Sequence, residues 1–191
     1  LANPSPGSSV LDVPVGTGRF NDLYQTFRLR TIGIDISADM LAQARSRLTD
    51  RALLCLGDAT RLPLASECID IAICVRLLHL LDPGDARSTI AELGRVVKDG
   101  GHLIIGSRVH RWNRGQNPLH QMPTMAKAAA RTWKFRLGRA NSRSHPWRRI
   151  RRSFSAAQFT IIQEREPTSY PDGSRYALFI LKKDRSKGSV G

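Results

Sequence analysis

The chain has 191 residues, enough for one α/β domain with a buried core. Its 41% hydrophobic and 24% charged residues are typical of a globular protein, and no apolar run is long enough to cross a membrane. The net charge of +14 is unevenly spread, because residues 100–163 carry thirteen Arg or Lys and no acid. This basic stretch therefore needs its own explanation, either a solvated cover or contact with an anionic partner.

The three cysteines, Cys55, Cys68 and Cys74, lack the spacing of metal ligands and are an odd number. We therefore expect free thiols, no metal site and a reducing, cytoplasmic environment.

The first part of the chain alternates short apolar runs with helical patterns. Ser37 has the residue type of a helix N-cap, and Asp82-Pro83-Gly84 interrupts the chain before another helix. Such alternation predicts a parallel sheet with helices on both faces. The predicted strands are 9–13, 31–34, 52–56, 69–75 and 102–107, and the first predicted helix is 19–29.

The sequence of the basic segment, residues 108–152, predicts two helices that cover the sheet. Apolar residues at helical spacing define them: Met122, Met125, Ala129, Trp133 and Leu137 in the first, then Trp147, Ile150 and Phe154 after a Ser144 cap. Two further strands, 159–165 and 176–182, are too close in sequence for a helix between them, so they should pair antiparallel.

These elements predict a single doubly wound α/β domain over 1–184 and a loose tail over 185–191. Its sheet should hold seven mostly parallel strands with an antiparallel last strand.

A glycine turn follows the first strand, in the order Asp12, Val13, Pro14, Val15, Gly16, Thr17, Gly18. Glycine lets the backbone approach a ligand closely, and the following helix start offers free N–H groups. Asn21 stands where a dinucleotide fingerprint has its third glycine, so we expect no NAD binding. A tight turn without a ligand is the alternative interpretation of these glycines alone.

Polar residues follow three other predicted strands: Asp35, Asp58, and the stretch Arg76 to His79. The carboxyl ends of parallel strands share one edge of a sheet, where doubly wound proteins bind ligands. The sequence therefore predicts a single site at this edge.

Four blocks in this order resemble class I S-adenosylmethionine-dependent methyltransferases, most closely the ubiquinone/menaquinone-biosynthesis-like branch called methyltransferase type 11. They are the glycine turn, Gly33 to Ser37 with Met40-Leu41, Gly57 to Ala59 with Leu62-Pro63-Leu64, and Glu92 to Gly101. The resemblance implies a Rossmann-like fold and S-adenosylmethionine as cofactor. Pro14 departs from the family, which has a glycine there.

The resemblance also implies roles for individual residues. Asp12 and the turn with Pro14, Gly16, Thr17 and Gly18 would hold the methionine part of the cofactor. Asp35 would accept hydrogen bonds from both ribose hydroxyls, a pairing that suits a carboxylate. The adenine would lie against Ile36, Met40, Asp58 and Ala59, and Val75 would border the site.

Methyl transfer depends mainly on positioning the acceptor, although some acceptors need a base. His79 is the candidate base and His110 is second, while Arg76 could orient an anionic acceptor. For each histidine, a loop residue without a proton role is the alternative.

Three functions remain open from the sequence. The first is a methyltransferase for a small-molecule or lipid-like acceptor. The second is an RNA methyltransferase that uses the basic segment, with Trp112, Trp133 and Trp147 stacking on bases. The third is a non-catalytic scaffold. The basic segment predicts an anionic partner, RNA or a membrane surface, so a peripheral membrane position is an expectation beside the cytoplasmic one.

Overall fold

The computed structural model describes residues 4–48, 52–110, 145–169 and 175–185. In these residues one sheet has the order β3-β2-β1-β4-β5-β8-β7, with a two-residue strand β6 beside β5. The strands are β1 (Ser9–Asp12), β2 (Arg30–Asp35), β3 (Leu53–Leu56), β4 (Ile69–Val75), β5 (Val97–His110), β6 (His145–Pro146), β7 (Phe159–Ser169) and β8 (Arg175–Lys183).

The sheet is parallel except at β8, which runs antiparallel to both β5 and β7. This confirms the predicted mostly parallel sheet with an antiparallel last strand; β6 is an addition to the seven predicted strands. The strand order reverses between β1 and β4, which places a crevice between the ends of these two strands.

Helices cover both faces of the sheet. α1 (Asn21–Thr26) and α2 (Ala38–Arg45) pack on one face, where Tyr24 and Ala44 meet Val10, Ile71 and Ile73. α3 (Pro83–Val96) and α4 (Trp147–Ala156) contribute to the larger core on the other face. The alternation of β4 side chains between the two cores is the two-residue period of a strand buried on both sides.

The predicted cap at Ser37 is present, and Asp82 caps the helix that follows the predicted chain break. The Ser37 hydroxyl accepts from the Met40 N–H at 3.3 Å, and Asp82 Oδ1 accepts from the Gly84 N–H at 2.7 Å. Each cap satisfies backbone donors that would otherwise be unpaired in the first turn of a helix.

Several predicted boundaries are wrong, most clearly those of α1 and β5, and β7 continues to Ser169 rather than ending at 165. α1 is shorter than 19–29, because the residues before Asn21 form the glycine turn and those after Thr26 turn into β2. β5 begins at Val97 rather than at 102, because Val97 pairs with Ile69 and His102 with Ile71. Residues 98–101 thus form an irregularity inside one strand instead of a helix end followed by a new strand.

The end of the basic segment belongs to the packed layer. Ile150 and Phe154 of α4 are buried, as their spacing predicts, and α4 contacts α3 and β7. The four arginines of α4 are exposed; we call them the arginine cluster: Arg148, Arg149, Arg151 and Arg152. Within 147–152 this arrangement agrees with the predicted amphipathic helix, with its apolar side inward and its arginines outward. The first predicted helix of the segment and Ser144 lie outside the described residues.

No helix in the described part of the chain is long and apolar enough to cross a membrane.

Candidate functional site

The glycine turn folds back over the end of β1. Val13–Pro14 is a cis peptide, and the Val15 N–H donates to the Ile34 carbonyl at 3.0 Å. Gly16 and Gly18 have φ of +55° and +72°, a region that residues with a Cβ rarely adopt. A Cβ on Gly18 would lie 3.1 Å from the Leu48 side chain, whereas one on Gly16 would meet nothing within 4 Å. Gly18 thus permits close packing, and Gly16 leaves open space at the crevice.

Asp35 joins the turn to the end of β2. Its Oδ2 accepts from the Gly16 N–H at 2.9 Å and its Oδ1 from the Ser37 N–H at 3.0 Å, and the residue is only 6% exposed. Two backbone donors therefore fix the orientation of the carboxylate. Each oxygen can still accept a further hydrogen bond from a ligand hydroxyl.

An apolar surface lies next to this carboxylate. Ile36 is 74% exposed and Met40 39% exposed, although both are large apolar residues. Leu56, at the end of the neighbouring strand β3, is exposed as well. A buried carboxylate beside exposed apolar side chains is an arrangement that suits a flat ligand with polar substituents.

Asp12 lies beneath the turn and is 1% exposed. The Tyr24 hydroxyl donates to its Oδ2 at 2.8 Å. Burial raises the pKa of Asp12 from 3.8 to about 7, and the hydrogen bond from Tyr24 and the charge of Arg19 only partly oppose this effect. Asp12 therefore changes its charge near neutral pH, and a cationic ligand group nearby would favour the ionised form.

Asp58 and Ala59 follow β3 on the same edge. The Gly57 N–H donates to the Asp35 carbonyl at 3.0 Å, which ties this loop to the end of β2. Asp58 Oδ1 accepts from the backbone N–H and the hydroxyl of Thr60, both at 2.8 Å. Asp58 thus makes the local turn that its residue type favours, and its predicted contact with adenine stays a prediction.

The Thr17 hydroxyl accepts from Arg47 Nη1, two residues after α2, at 3.2 Å. Its predicted role at the cofactor also stays a prediction.

The end of β4 carries Val75, Arg76 and His79. Arg76 is exposed and has φ of +68°, a strained conformation for a residue with a Cβ. His79 is 9% exposed and lies on a short 3-10 turn, Leu78–Leu80. The structure thus brings Arg76 to the crevice edge and encloses most of His79 beneath it. A role for His79 as a base stays a prediction, as does one for His110 at the end of β5.

Two tyrosines are missed by reasoning from the sequence. The spacing of Tyr24 assigns it only to a helix face, yet its hydroxyl is the partner of Asp12. Tyr176, on β8, reaches over Gly106 of β5, which pairs with the last residue of β4. No local motif marks either residue; only the pairing of distant strands brings Tyr176 to this edge.

The chain shares sequence and fold with known proteins. Residues 11–105 match the methyltransferase domain family. Over 106 residues the chain is 35% identical to the demethylmenaquinone methyltransferase of Renibacterium salmoninarum, covering 55% of this chain and 43% of the relative. Over 130 residues it is 32% identical to the phosphatidylethanolamine N-methyltransferase of Cereibacter sphaeroides, covering 65% of this chain and 60% of the relative.

A solved structure of geranyl diphosphate methyltransferase, in complex with geranyl diphosphate and sinefungin, has the same fold. The TM-score is 0.77 at 16% identity, with 96% of this chain and 74% of that chain covered. The chain spans less than two thirds of the length of the two curated relatives.

Because residues 11–105 match the methyltransferase domain family, the chain belongs to the class I S-adenosylmethionine-dependent methyltransferases of the type 11 branch.

Proposed function

We propose that this chain transfers a methyl group from S-adenosylmethionine to a small-molecule or lipid-like acceptor. The observation that carries the proposal is the carboxylate of Asp35, held by Gly16 and Ser37 at the edge of the crevice. This geometry leaves lone pairs on both oxygens for a diol, and a ribose is the diol of the family's cofactor.

The neighbouring residues fit the other parts of that cofactor. Open space at Gly16 would admit the methionine part, and Asp12 would face its ammonium group. The exposed side chains of Ile36 and Met40 would pack on the adenine, which gives these apolar residues a reason to be on the surface.

The bound cofactor would supply an electrophilic methyl group on a sulfonium. The chain would then have to hold the acceptor in line with it and to exclude water, and positioning of this kind accounts for most of the acceleration of such reactions. The acceptor would have to present a lone pair to this methyl group, with the cofactor's sulfur as the leaving group. A proton released by the acceptor would pass to solvent or to His79.

Two relatives favour a small or lipid-like acceptor, because their names specify demethylmenaquinone and phosphatidylethanolamine as what they methylate. Both molecules combine an apolar body with a polar head. The exposed arginine cluster is compatible with an anionic surface that carries such an acceptor.

The proposal is tested by transfer of a labelled methyl group to three separated pools: extracted lipids, small metabolites and RNA. We expect label in lipids or metabolites with the parent protein and its loss with Asp35→Ala. An Asp39→Ala variant serves as the matched control, because Asp39 is an acid on the first turn of α2. Label in RNA alone would support the nucleic-acid alternative, and no binding of S-adenosylmethionine would support a scaffold.

A further inference from the structure

The side chain of Tyr176 lies over the last paired residues of β4 and β5. Gly106 pairs with Val75 on one side and with Leu178 on the other. A Cβ built on Gly106 would stand 2.5 Å from the Tyr176 hydroxyl and 3.2 Å from two ring carbons. The absence of a side chain at Gly106 therefore creates the space that holds the phenol at the end of β4.

The Tyr176 hydroxyl is buried and makes no hydrogen bond of good geometry within the described part of the chain. A buried hydroxyl without a partner loses its hydration without compensation, which is costly. Such a group at a ligand crevice is explained when the ligand provides the partner.

Arg76 is fixed beside this hydroxyl. Its backbone N–H lies near the phenol but donates to the Gly106 carbonyl at 3.0 Å, and its left-handed conformation carries strain that a structural turn would avoid with glycine. Burial raises the pKa of the Tyr176 hydroxyl, which outweighs the opposing effect of the positive charges of Arg76 and Arg19 and of this N–H. The hydroxyl therefore keeps its proton at neutral pH and can donate it in a hydrogen bond.

Arg19 links this place to the predicted cofactor site. It directly follows the glycine turn, and its charge acts on both Asp12 and Tyr176. Asp12 at the start of the turn pairs with Ile73 of β4, and Val75 of β4 pairs with Gly106 beneath Tyr176. Tyr176 and the turn therefore lie at the same carboxyl edge of the sheet.

We propose that the Tyr176 hydroxyl and the Arg76 guanidinium form the subsite that binds the methyl acceptor, and that the acceptor presents an acidic oxygen there, as a phenolate, enolate or carboxylate does. A neutral hydroxyl donor beside an arginine is complementary to such an oxygen and offers little to an ammonium group. This inference rests on the proposed methyl transfer, because it assigns the substrate class of that site.

The test uses 2-hydroxy-1,4-naphthoquinone, which is ionised at neutral pH, and its uncharged 2-methoxy analogue as paired probes. Each is titrated by calorimetry into protein saturated with S-adenosylhomocysteine. We expect the parent to prefer the anionic probe, and Tyr176→Phe and Arg76→Gln each to weaken it about tenfold, as loss of a charge-assisted hydrogen bond would. Arg87→Gln, which changes an exposed arginine of α3, is the matched control and should retain the preference.

A second variant tests the position of the Tyr176 hydroxyl rather than its presence. Gly106→Ala keeps the hydroxyl but pushes it away, since the new Cβ would overlap it, and it should also weaken the anionic probe. Tyr176→Phe should keep the melting temperature of the parent, because the hydroxyl it removes has no partner in the described residues.

The outcomes separate this subsite from the proposed function. Failure of the parent to bind S-adenosylhomocysteine would refute the proposed function. Normal binding of S-adenosylhomocysteine without preference for the anionic probe would overturn the subsite alone. A preference that survives in Tyr176→Phe, or a lowered melting temperature in that variant, would also overturn it.

Discussion

Asp12→Asn should change how the stability of the protein depends on pH. In the native structure Asp12 is buried and its pKa is raised from 3.8 to about 7. Between these values the native state binds a proton that the unfolded state has released. The contribution of Asp12 to the free energy of unfolding is therefore fully present below its unfolded pKa, and it falls as pH rises toward 7.

The size of the effect follows from the shift. A rise of about three pKa units corresponds to roughly 4 kcal/mol between the two limits, at about 1.4 kcal/mol per unit. Between pH 5 and pH 8, the contribution of Asp12 to the free energy of unfolding should fall by roughly 2–3 kcal/mol. The amide group that replaces the carboxyl group stays uncharged and can still accept from the Tyr24 hydroxyl, so the variant lacks this decline.

The assay is urea unfolding of parent and variant at intervals between pH 5 and pH 8. The quantity to follow is the difference between their free energies of unfolding, because any constant cost of the amide group cancels in its slope. Relative to the parent, the variant should gain stability steadily up to about pH 7. A difference that is independent of pH would refute the reasoning.

Tyr24→Phe is a second test of whether the raised pKa of Asp12 causes the dependence of stability on pH. The Tyr24 hydrogen bond lowers the pKa of Asp12 in the folded state, so its removal should extend the decline in stability to higher pH. A decline that ends at the same pH as in the parent would mean that the hydrogen bond has no such effect.

Three further predictions concern cofactor binding, the glycine turn and the arginine cluster. Asp35→Ala should weaken S-adenosylmethionine binding by roughly 1–3 kcal/mol in calorimetry, through unpaired hydroxyl groups, and an unchanged affinity would remove Asp35 from the site. Gly18→Ala should lower the free energy of unfolding more than Gly100→Ala, since both have positive φ but only Gly18 would bring a Cβ against Leu48. Replacing the arginine cluster by glutamine should leave S-adenosylhomocysteine affinity within about twofold and weaken binding to anionic vesicles most at low salt, and equal vesicle binding would make the cluster a solvated surface.

The fold was predictable because its signals are local. Apolar runs such as 69–75 separated by helical patterns indicate parallel strands, and Ser37 and Asp82 mark helix starts through their side-chain chemistry. The sequence also predicted that Asp35 and the glycine turn share one edge of the sheet, because the carboxyl ends of parallel strands lie together. Their hydrogen bond is visible only in the structure.

The remaining features depend on contacts between distant parts of the chain. The pairing of Val97 with Ile69 begins β5 before residues 99–101, whose sequence predicts the end of a helix. Pairing between distant strands thus outweighs the local preference of these residues. Tyr176 reaches Gly106 only because β8 pairs antiparallel with β5 in one register, and a shift by one residue would turn its ring to the other face. The sequence pattern of a strand does not specify that register.

The pairing of β6 with the end of β5 has a consequence for how the chain can diversify. Val109 pairs with His145 and His110 with Pro146, so the chain leaves the sheet and returns to it at adjacent points. For a flexible connection between two fixed points, each doubling of its length costs only about 0.6 kcal/mol. Because β5 and β6 hold both ends of the connection between 110 and 145, changes in its length need not move the strands of the sheet. Because Arg108 is the register partner of Tyr176, such length changes would arise beside the proposed acceptor subsite, where they can alter selectivity at small cost to stability.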